Sequence, residues 1–335
     1  VFYLFVLLLF VRCTFPYERV KDRLVAEFEA AQKQPGKRLE IEELSGHWLF
    51  GVKASGVRLI TEPPPGTGAG ADSEPAKPKV MELDSLRISV GLLRRLFGTW
   101  AVDYAAELGG GEITGTFYQD SERAEIEARS EDVSVAGLSV LEDLVELPLD
   151  GVLDGSVRLV LPEGKMSQAE GEVDLTIAGL AVGDGKAKIR NAIALPRLEA
   201  GDLVLKATAL EGRLNVEEFS AKGADFELQS DGNVRLRDPF DAGLADLNLA
   251  FKFSDAYMGK NDLTKSLFGE PGSKVPGLFD MDPKIRRAKA DDGFYRWKIA
   301  GPIARLNFRP APRAVNNRAA ARRGDEEAPA AADGE

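Results

Sequence analysis

Along most of this chain, large apolar residues fall on every second position. In Asp246-Leu247-Asn248-Leu249-Ala250-Phe251-Lys252-Phe253 that spacing makes one face apolar and the other wet, because successive side chains on a strand point to opposite sides. The same pattern occupies Asp225-Phe226-Glu227-Leu228 and Asn233-Val234-Arg235-Leu236. Between these two runs, Gln229 to Gly232 ends in an Asp-Gly pair, which supplies the positive φ of a tight hairpin turn. Strand, turn and strand leave no room for a crossover helix, so the sheet is predicted to be antiparallel.

Short alternating segments repeat upstream, at 38–41, 57–60, 80–83, 86–90, 100–104, 112–117, 124–128, 155–159 and 171–177, and the segments 294–299 and 305–308 close the series. A unit of Gly, polar, apolar, polar, apolar recurs at Gly111, Gly155, Gly171 and Gly232. Its irregular spacing predicts one sheet extended by hairpins, not a fixed-period solenoid.

Three stretches depart from period two. From Tyr17 to Lys33, Val20, Leu24, Phe28 and Ala31 recur at steps of three and four among charged residues, which predicts an amphipathic helix ended by Pro35-Gly36. Such a helix could dock at a membrane or a partner, or cap the open end of the sheet. Leu138, Leu141, Leu144 and Val145 predict about three helical turns stopped by Pro148. Asn261-Asp262 caps a short helix carrying Leu263, Leu267 and Phe268, with Gly269 and Pro271 as its stop.

The two ends differ from the middle. Val1 to Val11 is an unbroken apolar run. At about 1.5 Å per residue it covers about 17 Å of the roughly 30 Å hydrocarbon layer, so it reads as the C-terminal half of a transmembrane anchor. The alternative is the apolar core of a cleaved signal peptide. Thr61 to Lys79 is rich in Pro, Gly and Ala and is expected to be a flexible loop; Pro310 to Glu335 is expected to be a disordered tail. The expected organisation is therefore an anchor over 1–14, an amphipathic helix over 15–34, an elongated β domain over 35–309 with a loop at 61–79, and a tail over 310–335.

Composition narrows the chemistry. With 335 residues, 44% of them hydrophobic, the chain can bury a core without disulfides. A net charge of -11 argues against nucleic acid as a partner. Cys13 is the only cysteine and His47 the only histidine, so neither a disulfide nor a multi-cysteine metal site can form within the chain. His47 lies near Glu42 and Glu43 but no nucleophile motif accompanies it, and it reads as an ordinary loop or strand residue. Gly66 to Gly70 lacks the Lys and the strand-to-helix setting of a phosphate loop. Arg94-Arg95 and the basic run Lys284 to Lys289 read as solvated surfaces. No catalytic, cofactor-binding or metal-ligating residue is assigned, and an enzyme is not expected.

The anchor, Phe15-Pro16-Tyr17-Glu18, the segment Leu195 to Leu203 and the segment Phe294 to Pro310 together resemble the type II secretion system protein GspN family, with the closing strand shared by the wider AsmA-like group. The resemblance implies a mainly β fold: an N-terminal transmembrane or amphipathic helix, then an elongated, curved, predominantly antiparallel sheet forming an AsmA-like groove, with a few short helices. Alternation alone equally permits a sheet packed on helices or on a second sheet. It further implies a non-enzymatic scaffold or assembly factor of type II secretion, tethered by one N-terminal span in the inner membrane with its bulk in the periplasm. Its partners would be the membrane and other secretion components. The alternative is a lipid-binding or lipid-transfer groove of the cell envelope.

Overall fold

The computed structural model describes residues 15–31, 36–47, 51–62, 79–91, 98–138, 147–185, 196–270 and 276–311, together with Tyr3, Leu141, 188–189 and 193–194. The chain is mainly β. Its first eight strands are β1 (Lys37–His47), β2 (Gly51–Thr61), β3 (Lys79–Val90), β4 (Trp100–Leu108), β5 (Gly111–Gln119), β6 (Arg123–Ser134), β7 (Leu149–Pro162) and β8 (Glu170–Val182). A small hairpin of β9 (Lys188–Ile189) and β10 (Ile193–Ala194) stands apart. Then follow β11 (Leu198–Leu210), β12 (Arg213–Lys222), β13 (Phe226–Arg235), β14 (Leu244–Phe253), β15 (Tyr295–Pro302) and β16 (Asn307–Pro310). Apart from that hairpin, the strands form one open sheet of fourteen in chain order, each antiparallel to its neighbours.

The strands are longer than the short runs of alternation suggest, and one expected turn is absent. Gln229 to Gly232 lies inside β13, where Gly232 pairs with Val216 on one side and Leu247 on the other. The reason is parity: Phe226, Leu228, Gly232 and Val234 all fall on even positions, so the alternation runs through the Asp-Gly pair unbroken. Likewise 80–83 and 86–90 belong to the single strand β3. There the parity does slip, from Met81 and Leu83 to Leu86. Neighbouring strands slip at the same level, from Ile41 to Leu44 and from Val57 to Ala54. Gly56, at φ +59, sits beside Glu42 and Asp84 at that level and supplies the backbone irregularity that keeps the apolar side chains on one face.

Breaks in register farther along are pinned by aspartates. Asp154 accepts the Asp132 N–H at 2.9 Å, Asp202 accepts the Gly179 N–H at 2.8 Å and Asp225 accepts the Glu199 N–H at 3.1 Å. Each satisfies a donor that the ladder has lost near its irregularity. Bulges bend strands, and the bend is visible in packing: Ala124, Leu161, Ala169 and Leu236 form one buried cluster. Ala124 in β6 and Leu236 just after β13 would be separated by five strand spacings, about 24 Å, in a flat sheet.

Helix α1 (Tyr17–Ala31) lies along β1, where Val20 packs with Leu39 and Ile41. It covers an edge strand that would otherwise be open to pairing with another chain. Its buried side differs from the predicted stripe: Leu24 is 41% exposed, while Val25 faces Leu39 and Ile41 across a shallow groove. After β14 come α2 (Asp255–Met258), α3 (Asp262–Phe268), α4 (Leu278–Met281) and α5 (Pro283–Ala288). The Asn261 cap holds as expected, with its side chain accepting the Thr264 N–H and Gly269 ending the helix. The basic run is helical in α5 as far as Ala288, and Lys289, just beyond it, pairs with Asp280.

Among the described residues, no helix is long and apolar enough to cross a membrane. Apart from Tyr3 the expected anchor lies outside the described residues. So do the loop at 63–78, the arginines at 94–95, most of the helix expected near 138–145, and the tail from 312.

Candidate binding surface

Register places the side chains of directly paired residues on one face, so the pairing can be followed across the sheet. One row reads Leu44, Ala54, Leu86, Ala106, Ile113, Ser130, Gly155, Leu175, Leu205, Phe219, Ser230, Leu249, Trp297 and Pro310, one residue from each strand. The next row runs through Val52, Ile88, Tyr104, Gly115, Ala128, Val157, Val173, Ala207, Val216, Gly232, Leu247 and Ile299. Neither row contains a charge. Fourteen strands about 4.8 Å apart make such a row roughly 60 Å long.

The rows are unevenly covered. At one end of the C-terminal strands, beyond the rows, helices roof the same face, and Phe226, Phe251, Phe253, Tyr257, Phe268, Phe279 and Tyr295 stack ring against ring at centroid distances from 4.6 to 6.1 Å; within the rows Leu247, Leu249 and Trp297 stay half-buried. Two polar groups are locked into this roof. The Tyr257 hydroxyl donates to the Pro196 carbonyl at 2.9 Å, and the Tyr295 hydroxyl donates to Asp280 at 2.7 Å. Burial, helped by the Asp225 carboxylate, pushes Tyr257 up to about 12, and burial with the Asp280 bond pushes Tyr295 up as well.

Over the middle strands the cover lies at the strand ends, where Leu138 packs against Ala106, Leu108 and Val133 and Met166 packs against Ala124, Leu161 and Ala169; between them Tyr104, Val157, Val173, Leu175 and Leu205 remain half-buried. Each such side chain forgoes part of the roughly 1.5–3 kcal/mol that full burial supplies. Glycine shapes the floor here. A Cβ on Gly115 would sit 2.3 Å from the Tyr104 hydroxyl, so the ring of Tyr104 lies flat across it and reaches toward the Glu127 carbonyl at 3.3 Å. Gly155, Gly171 and Gly232, which mark the repeated sequence unit, stand on this same face, within strands.

The opposite face is a ladder of charges. Arg158 donates to Glu125 at 2.8 Å and lies 3.1 Å from Glu127, while Arg87 holds Glu107 at 2.9 Å. Arg158 and Glu127 line a shallow depression of about 490 Å³ with Asp103, Thr116, Arg129 and Glu172, and its arginines pair with Glu125, Glu127 and Glu131. The Arg158 pairs are exposed, where such pairs carry little stability. They keep this face wet.

No protein-family model, curated protein or solved structure matches the chain. Among the described residues, no group of three His, Cys, Asp or Glu side chains could hold a metal ion. His47 ends β1 opposite Gly51. Sequence reasoning missed the aromatic roof and the glycine-studded floor, because both depend on which strands become neighbours.

Proposed function

We propose that this chain is a non-enzymatic protein of the cell envelope whose curled sheet forms an AsmA-like groove and shelters the acyl part of a lipid. The observation that carries this reading is the uncharged, half-buried middle of the apolar rows. Apolar ligand atoms laid there would complete burial that the protein leaves unfinished. Among the described residues, the polar groups needed to orient a reacting atom do not converge on that face, which favours holding over chemistry. The N-terminal apolar run supports tethering to the inner membrane, with the sheet in the periplasm.

The test is lipid extraction and mass spectrometry on protein purified without detergent. Retained acyl-chain lipid is expected, and its loss in Val157→Glu is expected as well. A wild-type protein free of lipid would contradict the proposal.

A second reading, a scaffold or assembly factor of type II secretion, is favoured by where the family-like segments lie. Leu198 and Ala200 pack with Tyr257 and Phe268, and Tyr295 contacts Phe279 of the same roof. Two segments far apart in sequence thus belong to one structural corner. Deleting the gene is expected to impair export of secreted enzymes while leaving their synthesis intact; normal export would count against this reading.

A further inference from the structure

At the strand ends near the β11–β12 turn, the polar face carries charges that nothing answers. Arg213 of β12 stands directly opposite Arg235 of β13, and Arg237 follows two residues later. The three side chains line one depression of about 510 Å³ together with Ser167, Asn215 and Glu211. Like charges directly opposite on paired strands destabilise the pair. Several arginines elsewhere hold carboxylates: Arg87 pairs with Glu107, Arg158 with Glu125, and Arg197 with Asp150. Among the described residues, none of Arg213, Arg235 and Arg237 forms an ion pair.

The acids nearby are placed otherwise. Asp238 accepts the Met166 N–H at 3.1 Å and so ties down the turn that follows β7. Glu211 is held at φ +50 in the β11–β12 turn and shares the rim without pairing. Three guanidinium groups are therefore left facing one concavity on a chain whose net charge is -11.

We infer that Arg213, Arg235 and Arg237 form a binding site for a phosphate ester. A guanidinium fork matches two oxygens of a phosphate group, and several forks around one anion turn the cross-strand repulsion into attraction. Asn215 and Ser167 supply further donors on the same wall. The site lies on the face opposite the apolar rows, so it stands whether or not those rows hold lipid.

The phosphate could belong to a small soluble ester or to a lipid headgroup, and titration calorimetry on the full chain separates the two. At low salt, glycerol phosphate and short-chain dihexanoyl phosphatidylglycerol are both expected to bind, more weakly as salt rises. The double variant R213Q/R235Q is expected to bind roughly tenfold more weakly or not at all. Tighter binding of the lipid would assign a headgroup; equal binding would assign a soluble ester. Absence of binding to wild-type protein, or equal binding by the double variant, would overturn the site. Thermal melting guards against a folding artefact. Ligand-free R235Q is expected to melt no lower than wild type, because a repulsive pair has gone, and glycerol phosphate is expected to raise only the wild-type Tm. A lower ligand-free Tm for R235Q would mean that the arginine serves the fold, and the proposal would fail.

Discussion

The middle of the sheet and its C-terminal quarter start from the same alternation and end differently. Across β4 to β8 the apolar face is small-residue floor and half-buried Val and Leu, while at one end of β13 to β15 it packs beneath short helices and a chain of stacked rings. Period two decides only that one face is dry. What covers that face is decided elsewhere, here by the insertion between β14 and β15.

The largest expected contrast comes from placing a charge on each region. Ala200 is 2% exposed beneath the roof, so Ala200→Glu would bury an unpaired carboxylate and is expected to cost more than about 4 kcal/mol in denaturant unfolding. Val157→Glu on the open floor is expected to cost only about 1–2 kcal/mol, because its side chain can reach water. Comparable losses at the two sites would erase the distinction.

Truncation sharpens the same contrast at a smaller scale. Phe268 is 8% exposed and contacts Phe253 at 4.6 Å, so Phe268→Ala should cost about 3–5 kcal/mol. Leu175→Ala, on the half-buried floor, should cost about 1–2 kcal/mol by the same measurement.

Alkaline pH probes the roof through its tyrosines. Tyr257 is raised from its ordinary value of 10 to about 12 and Tyr295 is also raised, so the folded state favours the protonated hydroxyls. The stabilisation is complete below pH 10 and is lost as pH rises through about 12. Phenolate absorbance should show these two tyrosines ionising well above pH 10, together with unfolding of the roof; their titration near 10 would contradict their burial.

The smallest expected effect lies at the bulges. Asp202→Ala leaves the Gly179 N–H to water on an exposed strand, and a loss of about 0.5–1 kcal/mol is expected by thermal melting. Hydrogen exchange at Gly179 should quicken in the same variant.

Much of the sheet was legible in the chain because alternation is a local property. The strands from β3 to β8, the closing pair β15 and β16, and the Asn261 cap follow directly from nearby residues. The hairpin at Gln229 to Gly232 was misread because Asp-Gly signals both a turn and a close approach between strands; Gly232, whose added Cβ would lie 2.2 Å from the Asp246 carbonyl, does the second. The roof could not be read from spacing, since α2, α4 and α5 are only four to six residues long and show no helical period. The three arginines were invisible for another reason: Arg213 and Arg235 become opposed only through register.

The most direct measurement is photo-crosslinking with a fatty acid that carries a carbene precursor along its chain, followed by peptide mapping. Labels are expected on Val157, Val173 and Leu175, on the apolar side of β7 and β8. Labels on Arg158, Glu172 and Asp174, which face the other way on the same strands, or no labels at all, would contradict a lipid-holding groove.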